Sequence, residues 1–308
     1  MKKEYIIPIF VPHLGCPNNC IFCNQKKISG QTKMVNAKDV EDTIEYYLKN
    51  FKDDNKYVEV AFFGGSFTAI EKEKQEELLQ AVQKYIQDKK VNSIRISTRP
   101  DAIDKDILKM LKKYHVKTIE LGVQSMNNYI LNRSQRGHTV EDVKKASKLI
   151  RWNGFILGHQ MMVGLPESTK QDEINTAKEL IKLKPKIVRV YPVLVIKDTP
   201  LAIEYENKEY TPLTVTQAVE RCKEIVELFN KHKINVIRIG LQNTEEISDP
   251  SKETSQVVAG PYHPAFRQLV ESSMWYDSLL NEIKKMKQKS EYVKTNNLWK
   301  KLSQEQKQ

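Results

Sequence analysis

The chain has 308 residues, 40% hydrophobic and 29% charged, which suits one large α/β domain or two ordinary ones and excludes a disordered polymer. No apolar run approaches the roughly 18 residues needed to cross a bilayer. The opening MKKEYIIPIFVPH has too short an apolar run, and no small-residue cleavage site, for a secretory signal, so a cytoplasmic protein with no membrane partner is expected. The formal charge is +11, from 50 basic and 39 acidic residues. That balance suits either a nucleic-acid partner or a lysine-rich solvated surface.

In chain order, apolar β-type runs fall at Tyr5–Val11, Tyr57–Phe63, Ser93–Ser97, Thr118–Val123, Ile156–Val163 and Ile187–Val193. Several are nearly continuous in Val, Ile and Phe, as parallel strands buried on both faces require. Helical segments lie between them, at about 37–50, 71–88, 104–114, 139–152 and 170–183. Ile107, Met110 and Leu111 share one helical face, and Asp104 and Thr139 stand where N-caps belong. After Pro200 the rhythm changes to a long loop (200–212), a helix at about 214–231, a strand at Ile234–Ile239, a polar loop (243–256) and a last helical region from near Pro264. The expected fold class is α/β: a partial (β/α)6 barrel over 1–200, a C-terminal α/β extension closing it over 201–273, and a basic helical tail over 274–308.

Of four cysteines, three are clustered directly after the first strand as Cys16-Pro-Asn-Asn-Cys20-Ile-Phe-Cys23. Clustered thiolates suit zinc or an Fe–S cluster rather than a disulfide framework. Three readings stay open from the residues: zinc with His13 as fourth ligand, an electron carrier with Cys222 as fourth ligand, or a cluster with one iron left open. Cys222 also reads as a small packed residue in mid-helix, between Val219 and Ile225.

CxxxCxxC with an aromatic, Phe22, before the last cysteine resembles the signature of the radical S-adenosylmethionine (SAM) superfamily. The resemblance implies a [4Fe-4S] cluster on Cys16, Cys20 and Cys23, its open iron chelating SAM. Reductive cleavage of SAM then gives a 5′-deoxyadenosyl radical that abstracts hydrogen. The match continues downstream. Phe62-Phe63-Gly64-Gly65-Ser66-Phe67-Thr68 occupies the position of a GGE-like motif that binds the SAM amino group, with Ser66 in place of the acid. Backbone at Gly64 and Gly65, and the Ser66 or Thr68 hydroxyl, are the implied contacts. Ser97 ends the third strand, where barrel enzymes place polar groups. Gln124 and Arg136, twelve residues apart, resemble a SAM-contacting pair of oxygen-independent coproporphyrinogen III oxidase and its relatives; a surface ion pair is the other reading of Arg136. Gln160 takes a position often filled by an Asp on the ribose hydroxyls, and Val163 with Gly164 would lie by the adenine. Strand alternation sends His159 to the opposite face.

FFGGSFT, ELGVQS, QRGHT and MMVGLP, followed by GPYHPAFRQLVES at 260–272, look most like the radical SAM domain of the Elongator catalytic subunit. That resemblance implies carbon-5 modification of tRNA wobble uridine, a transferase or oxidoreductase reaction. It also implies tRNA and an electron donor such as flavodoxin or ferredoxin as partners. About 35 residues follow the last motif, so no acetyltransferase domain is expected and an acyl-transfer or methyltransferase step would need a separate partner. Tyr262, His263 and Arg267 either contact substrate or orient the last helix; Tyr191 either lines the cavity or packs in the core. Radical chemistry on a small molecule, and a non-catalytic Fe–S or zinc module, are the alternatives.

Overall fold

A computed structural model describes residues 3–11, 20–24, 34–53 and 55–305, with side chains described as far as 289. Six strands are joined by helices in strict alternation: β1 (Lys3–Val11), α1 (Ala37–Asn50), β2 (Lys56–Gly64), α2 (Lys72–Gln87), β3 (Ser93–Thr98), α3 (Lys105–Lys113), β4 (Val116–Gln124), α4 (Asn128–Arg133) with α5 (Val140–Trp152), β5 (Ile156–Val163), α6 (Lys170–Lys182) and β6 (Ile187–Pro192). They lie parallel and in chain order in one curled half-barrel sheet. Caps set the helix starts. Asn36, Thr139 and Thr169 each form a capping box with an Asp three residues on, and the Asp104 side chain accepts from Ile107 N.

One face of every strand is apolar and packs under the helices. Ile7, Val60, Phe62, Ile96, Ile119, Leu121, Leu157 and Val190 belong to a single core with Leu78, Leu111, Val143 and Leu180 of the helices. Each large side chain so buried contributes about 1.5–3 kcal/mol. The opposite, concave face carries the polar residues at the alternate positions, so the pattern that builds the core also aims the site.

Beyond β6 the structure departs from the expected layout. A short strand, β7 (Val195–Ile196), precedes α7 (Pro200–Glu206), which occupies most of the stretch expected as loop. Thr199 caps α7, and Pro200 stands at its first turn, where a missing N–H costs nothing. After α8 (Val215–Lys231), strand β8 (Asn235–Ile239) adds parallel to β6 as the seventh strand, so the segment expected as an extension closing the barrel continues the same sheet. β9 (Val257–Ala259) pairs antiparallel with β7. The last helix, α9 (Phe266–Glu305), runs unbroken through position 273. Among the described residues no helix is long and apolar enough to cross a membrane.

Candidate active site

Cys16 and His13 lie outside the described residues. Cys20 and Cys23 sit in a tight turn closed by Cys23 N donating to Cys20 O at 2.9 Å. Cys20, Ile21 and Phe22 are buried in a small separate cluster with Ile130, Leu165, Val193, Leu201 and Tyr210. Phe22 therefore anchors the loop by packing. Ile21 N donates to Ser134 O (3.3 Å), and Leu201 N donates to Ile21 O (2.9 Å), so α4 and α7 grip the loop from both sides. Arg133 ties those two helices together, donating to Glu204 at 2.9 and 2.7 Å and to Glu167 at 2.7 Å.

Arg136 is buried at the exit of β4. Its Nη1 donates to Cys20 Sγ at 3.3 Å and its Nη2 to Gly122 O at 2.6 Å. Arg99, 2% exposed, holds the Arg136 carbonyl with Nη2 at 2.9 Å and Asp101 with Nε at 2.8 Å. Gln124 sits at a β4–β5 register shift with φ +70°, a conformation that costs a non-glycine residue energy and clusters at functional sites. Its buried Oε1 has no hydrogen-bond partner among the described residues. A Cβ at Gly122 would stand 3.2 Å from both Arg136 Nη2 and Gln124 Nε2, so glycine keeps room between them. His138 packs behind. Burial, then the Arg136 charge, pushes its imidazole down to about 4, so it is neutral at physiological pH and donates through Nε2 to Val123 O at 3.2 Å.

At the exit of β2, Gly64 has φ +104°, and a Cβ there would lie 2.6 Å from Val11 O. Gly65 N donates to that same oxygen at 3.0 Å; the turn needs the missing side chain. Ser66 is buried at the head of a short 3-10 turn. The Thr68 hydroxyl is 2.6 Å from Thr98 Oγ1 and from Ala102 O, so it links the exits of β2 and β3. Ser97 and Gln160 face the concave side, with Gln160 Nε2 3.4 Å from both Ser97 Oγ and Glu120 Oε2. Val163 does not line the cavity. The alternation that sends His159 under the helices, 2.9 Å from Ser147 Oγ, sends Val163 with it into the core; Gly164, at φ +84°, keeps only its backbone there, its N–H held by buried Glu173 at 2.7 Å.

A family model described as the radical SAM superfamily matches residues 10–180, and one described as the radical SAM C-terminal domain matches 185–276. The chain belongs to the radical SAM superfamily. It is 31% identical over 236 residues to an uncharacterized protein of Methanocaldococcus jannaschii, covering 73% of this chain and 72% of that one. It is 36% identical over 128 residues to the tRNA uridine(34) acetyltransferase of the same organism, covering 41% of this chain but only 24% of the enzyme. The fold matches the archaeal Elp3 of Methanocaldococcus infernus (N-terminal deletion) with TM-score 0.68 at 22% identity, over 91% of this chain and 64% of that one.

As a radical SAM enzyme the chain takes a [4Fe-4S] cluster and SAM, and its residues fit them. The thiols of Cys20 and Cys23 are one turn apart, a guanidinium donates to one sulfur, and the unpartnered Gln124 oxygen and the Gly122 gap lie on the same strand exit. Cys222 is fully buried in the main core, apart from the cysteine loop, and burial pushes its thiol up.

The concave face also carries a charge network that sequence reasoning missed. Arg95 bridges Glu59 (2.6 Å) and Glu120 (2.8 Å), and Arg189 donates to Glu120 at 2.5 and 3.0 Å. Glu120 on β4 reaches Arg189 on β6 across β5 because β5 presents Gly158, where a Cβ would lie 2.9 Å from Glu120 Cγ. Burial alone would raise the Glu120 carboxyl, but the Arg189 and Arg95 charges outweigh it and hold it below the usual carboxylate range. Arg189 also stacks over Phe63, 5.1 Å from the ring centroid. The available signal was four charged residues, Glu59, Arg95, Glu120 and Arg189, inside otherwise apolar strand runs. Tyr191 shares this face; burial raises its phenol pKa.

The 260–272 nominations find structural partners. Tyr262 donates to Asn243 Oδ1 at 2.8 Å, and His263 Nδ1 accepts from Ala265 N at 3.1 Å at the start of α9. Arg267 pairs with Glu271 at 2.8 Å and donates to the carbonyls of Val236 and Ile237 at 3.4 and 3.2 Å. These contacts tie the start of α9 to β8, the last strand of the described sheet, and fit the helix-orienting alternative for Arg267.

Proposed function

We propose that this radical SAM enzyme modifies a tRNA base, with carbon 5 of the wobble uridine as the target. The observation that carries this reading is the sequence shared with tRNA uridine(34) acetyltransferase; the net positive charge supports an RNA partner. The chain spans about a quarter of that relative, so the relative's acetyl-transfer step is not part of this proposal. In this proposal the protein works in the cytoplasm, with a flavodoxin- or ferredoxin-type donor.

Cys16, Cys20 and Cys23 would hold the cluster. Gly64, Gly65, Ser66, Ser97, Gln124, Arg136 and Gln160 would hold SAM, and Tyr191 would face the substrate. When bound, the reduced cluster supplies the electron that cleaves SAM to the hydrogen-abstracting 5′-deoxyadenosyl radical. The chain's own work is positional. Arg136 sets a positive charge against the Cys20 sulfur. The α4–α7 clamp excludes water from the cysteine loop. Glu120 holds the Gln160 amide nitrogen, so Gln160 turns its carbonyl oxygen toward the ligand as an acceptor. The basic start of the tail, with Lys284, Lys285, Lys287 and Lys289 exposed, adds positive surface for RNA.

The test is anaerobic incubation with SAM, dithionite and a total tRNA pool, reading nucleoside masses. A new uridine-derived mass, absent with Cys20→Ala, is the expected result. Cleavage of SAM with every nucleoside mass unchanged would overturn the tRNA assignment. It would favour the second reading, a small-molecule substrate, to which the charged concave face lends support.

A further inference from the structure

The two carboxylates of the concave network are fully used. Glu120 accepts from Arg95, Arg189 and Gln160; Glu59 accepts from Arg95, Ser93 and Thr118. Against them stand three guanidinium groups, those of Arg95, Arg189 and Arg238. Arg238 on β8 pairs in register with Arg189, so it shares the same face, and its charge acts on the Tyr191 phenol. It is partly buried, and among the described residues it has neither a hydrogen-bond acceptor nor a carboxylate partner.

A cation set beside another cation, partly out of water and without a counter-charge, is unfavourable unless an anion joins it. We propose that Arg238, on the face it shares with Tyr191, binds the carboxylate of a small co-substrate. The charge count decides the class: among the described residues three cations against two anions leave one positive charge, which a monoanion neutralises and a phosphate dianion overshoots. The planar guanidinium fork matches a carboxylate in shape. The site is distinct from the SAM end of the cavity. Arg136 is anchored at Gly122 on β4, three strand spacings from β8, roughly 14 Å.

The proposal does not rest on the tRNA assignment, and its test contains no RNA. The full chain, anaerobically loaded with its cluster, is titrated with 13C-acetate and, separately, with inorganic phosphate at constant ionic strength, following acetate line width and phosphorus resonance. Acetate should bind wild type more tightly than phosphate does. Arg238→Met should weaken acetate by at least about tenfold, the loss of one charge-assisted hydrogen bond, while Arg238→Lys loses less and the exposed control Lys148→Met loses nothing. Because Arg238 has no partner among the described residues, R238M should keep or raise the melting temperature, whereas a structural arginine would lower it. Tyr191→Phe, which leaves every charge in place, should weaken acetate binding two- to fivefold. Equal acetate binding by wild type and R238M, tighter binding of phosphate, or competitive displacement of acetate by SAM would each overturn the assignment.

Discussion

Glu120→Ala is the substitution whose cost the structure specifies best. Glu120 is 0% exposed and accepts from two guanidinium groups at 2.5–3.0 Å. Removing the carboxylate leaves Arg189 beside Arg238 and Arg95 with only Glu59. Breaking a buried pair by deleting one partner costs about 3–5 kcal/mol, because the remaining charge stays in a poorly solvated site. At roughly 2–3 °C per kcal/mol for a chain of this size, the melting temperature should fall by about 6–15 °C. Asp42→Ala, which breaks an exposed helix pair with Lys38, should cost under about 1 kcal/mol. Urea and thermal unfolding of the three proteins measure both. The pH dependence follows from the depressed carboxyl. Its folded pKa lies below the ordinary 4.5, so its stabilisation is full above 4.5 and is lost as pH falls through the folded value. The gap between wild type and Glu120→Gln should therefore be constant near neutrality and narrow only below about pH 4.5. An E120A cost below about 1 kcal/mol, or a gap that closes near pH 7, would refute the network as drawn.

Three further outcomes follow from the site. Arg136→Met removes a positive charge 3.3 Å from Cys20 Sγ; losing about 1–2 kcal/mol of preference for the reduced state should lower the cluster midpoint by roughly 40–90 mV, read by potentiometric EPR, with Arg136→Lys in between. Gly64→Ala places a Cβ 2.6 Å from Val11 O at a positive φ and should destabilise the protein by about 2–4 kcal/mol, measured by urea unfolding. Gln160→Glu sets a second carboxylate where an amide donates to Glu120; repulsion should weaken SAM binding at least about tenfold at pH 8 and less at pH 5, by equilibrium dialysis.

The strands were legible because parallel strands covered by helices are written as runs of Val, Ile and Phe, and the helix starts because Asp104 and Thr139 are strong caps. The cysteine spacing left zinc, an electron carrier and an open-iron cluster as readings, and only the resemblance to the radical SAM signature, Phe22 included, chose among them. What escaped depends on curvature and side-chain direction. Glu120 meets Arg189 only because the sheet curls and Gly158 leaves room, which no local pattern encodes. The Val163 side chain follows His159 to the helix side, as the same alternation implies. Thr68 and Arg267 each have partners in the fold, a hydroxyl and a carbonyl for Thr68, a carboxylate and two carbonyls for Arg267, that a motif match does not reveal. The α7 helix was hidden because its seven residues lean on the cysteine loop rather than on a periodic pattern of their own.

The central claim is that Cys16, Cys20 and Cys23 hold a cluster whose open iron takes SAM beside Arg136. The most direct measurement is EPR of the anaerobically reconstituted, dithionite-reduced protein, before and after SAM. The account predicts about four irons per chain, a [4Fe-4S]+ signal that changes shape on adding SAM, and 5′-deoxyadenosine as product, all lost in Cys20→Ala. Stoichiometric zinc, or a reduced cluster whose signal ignores SAM, would contradict it.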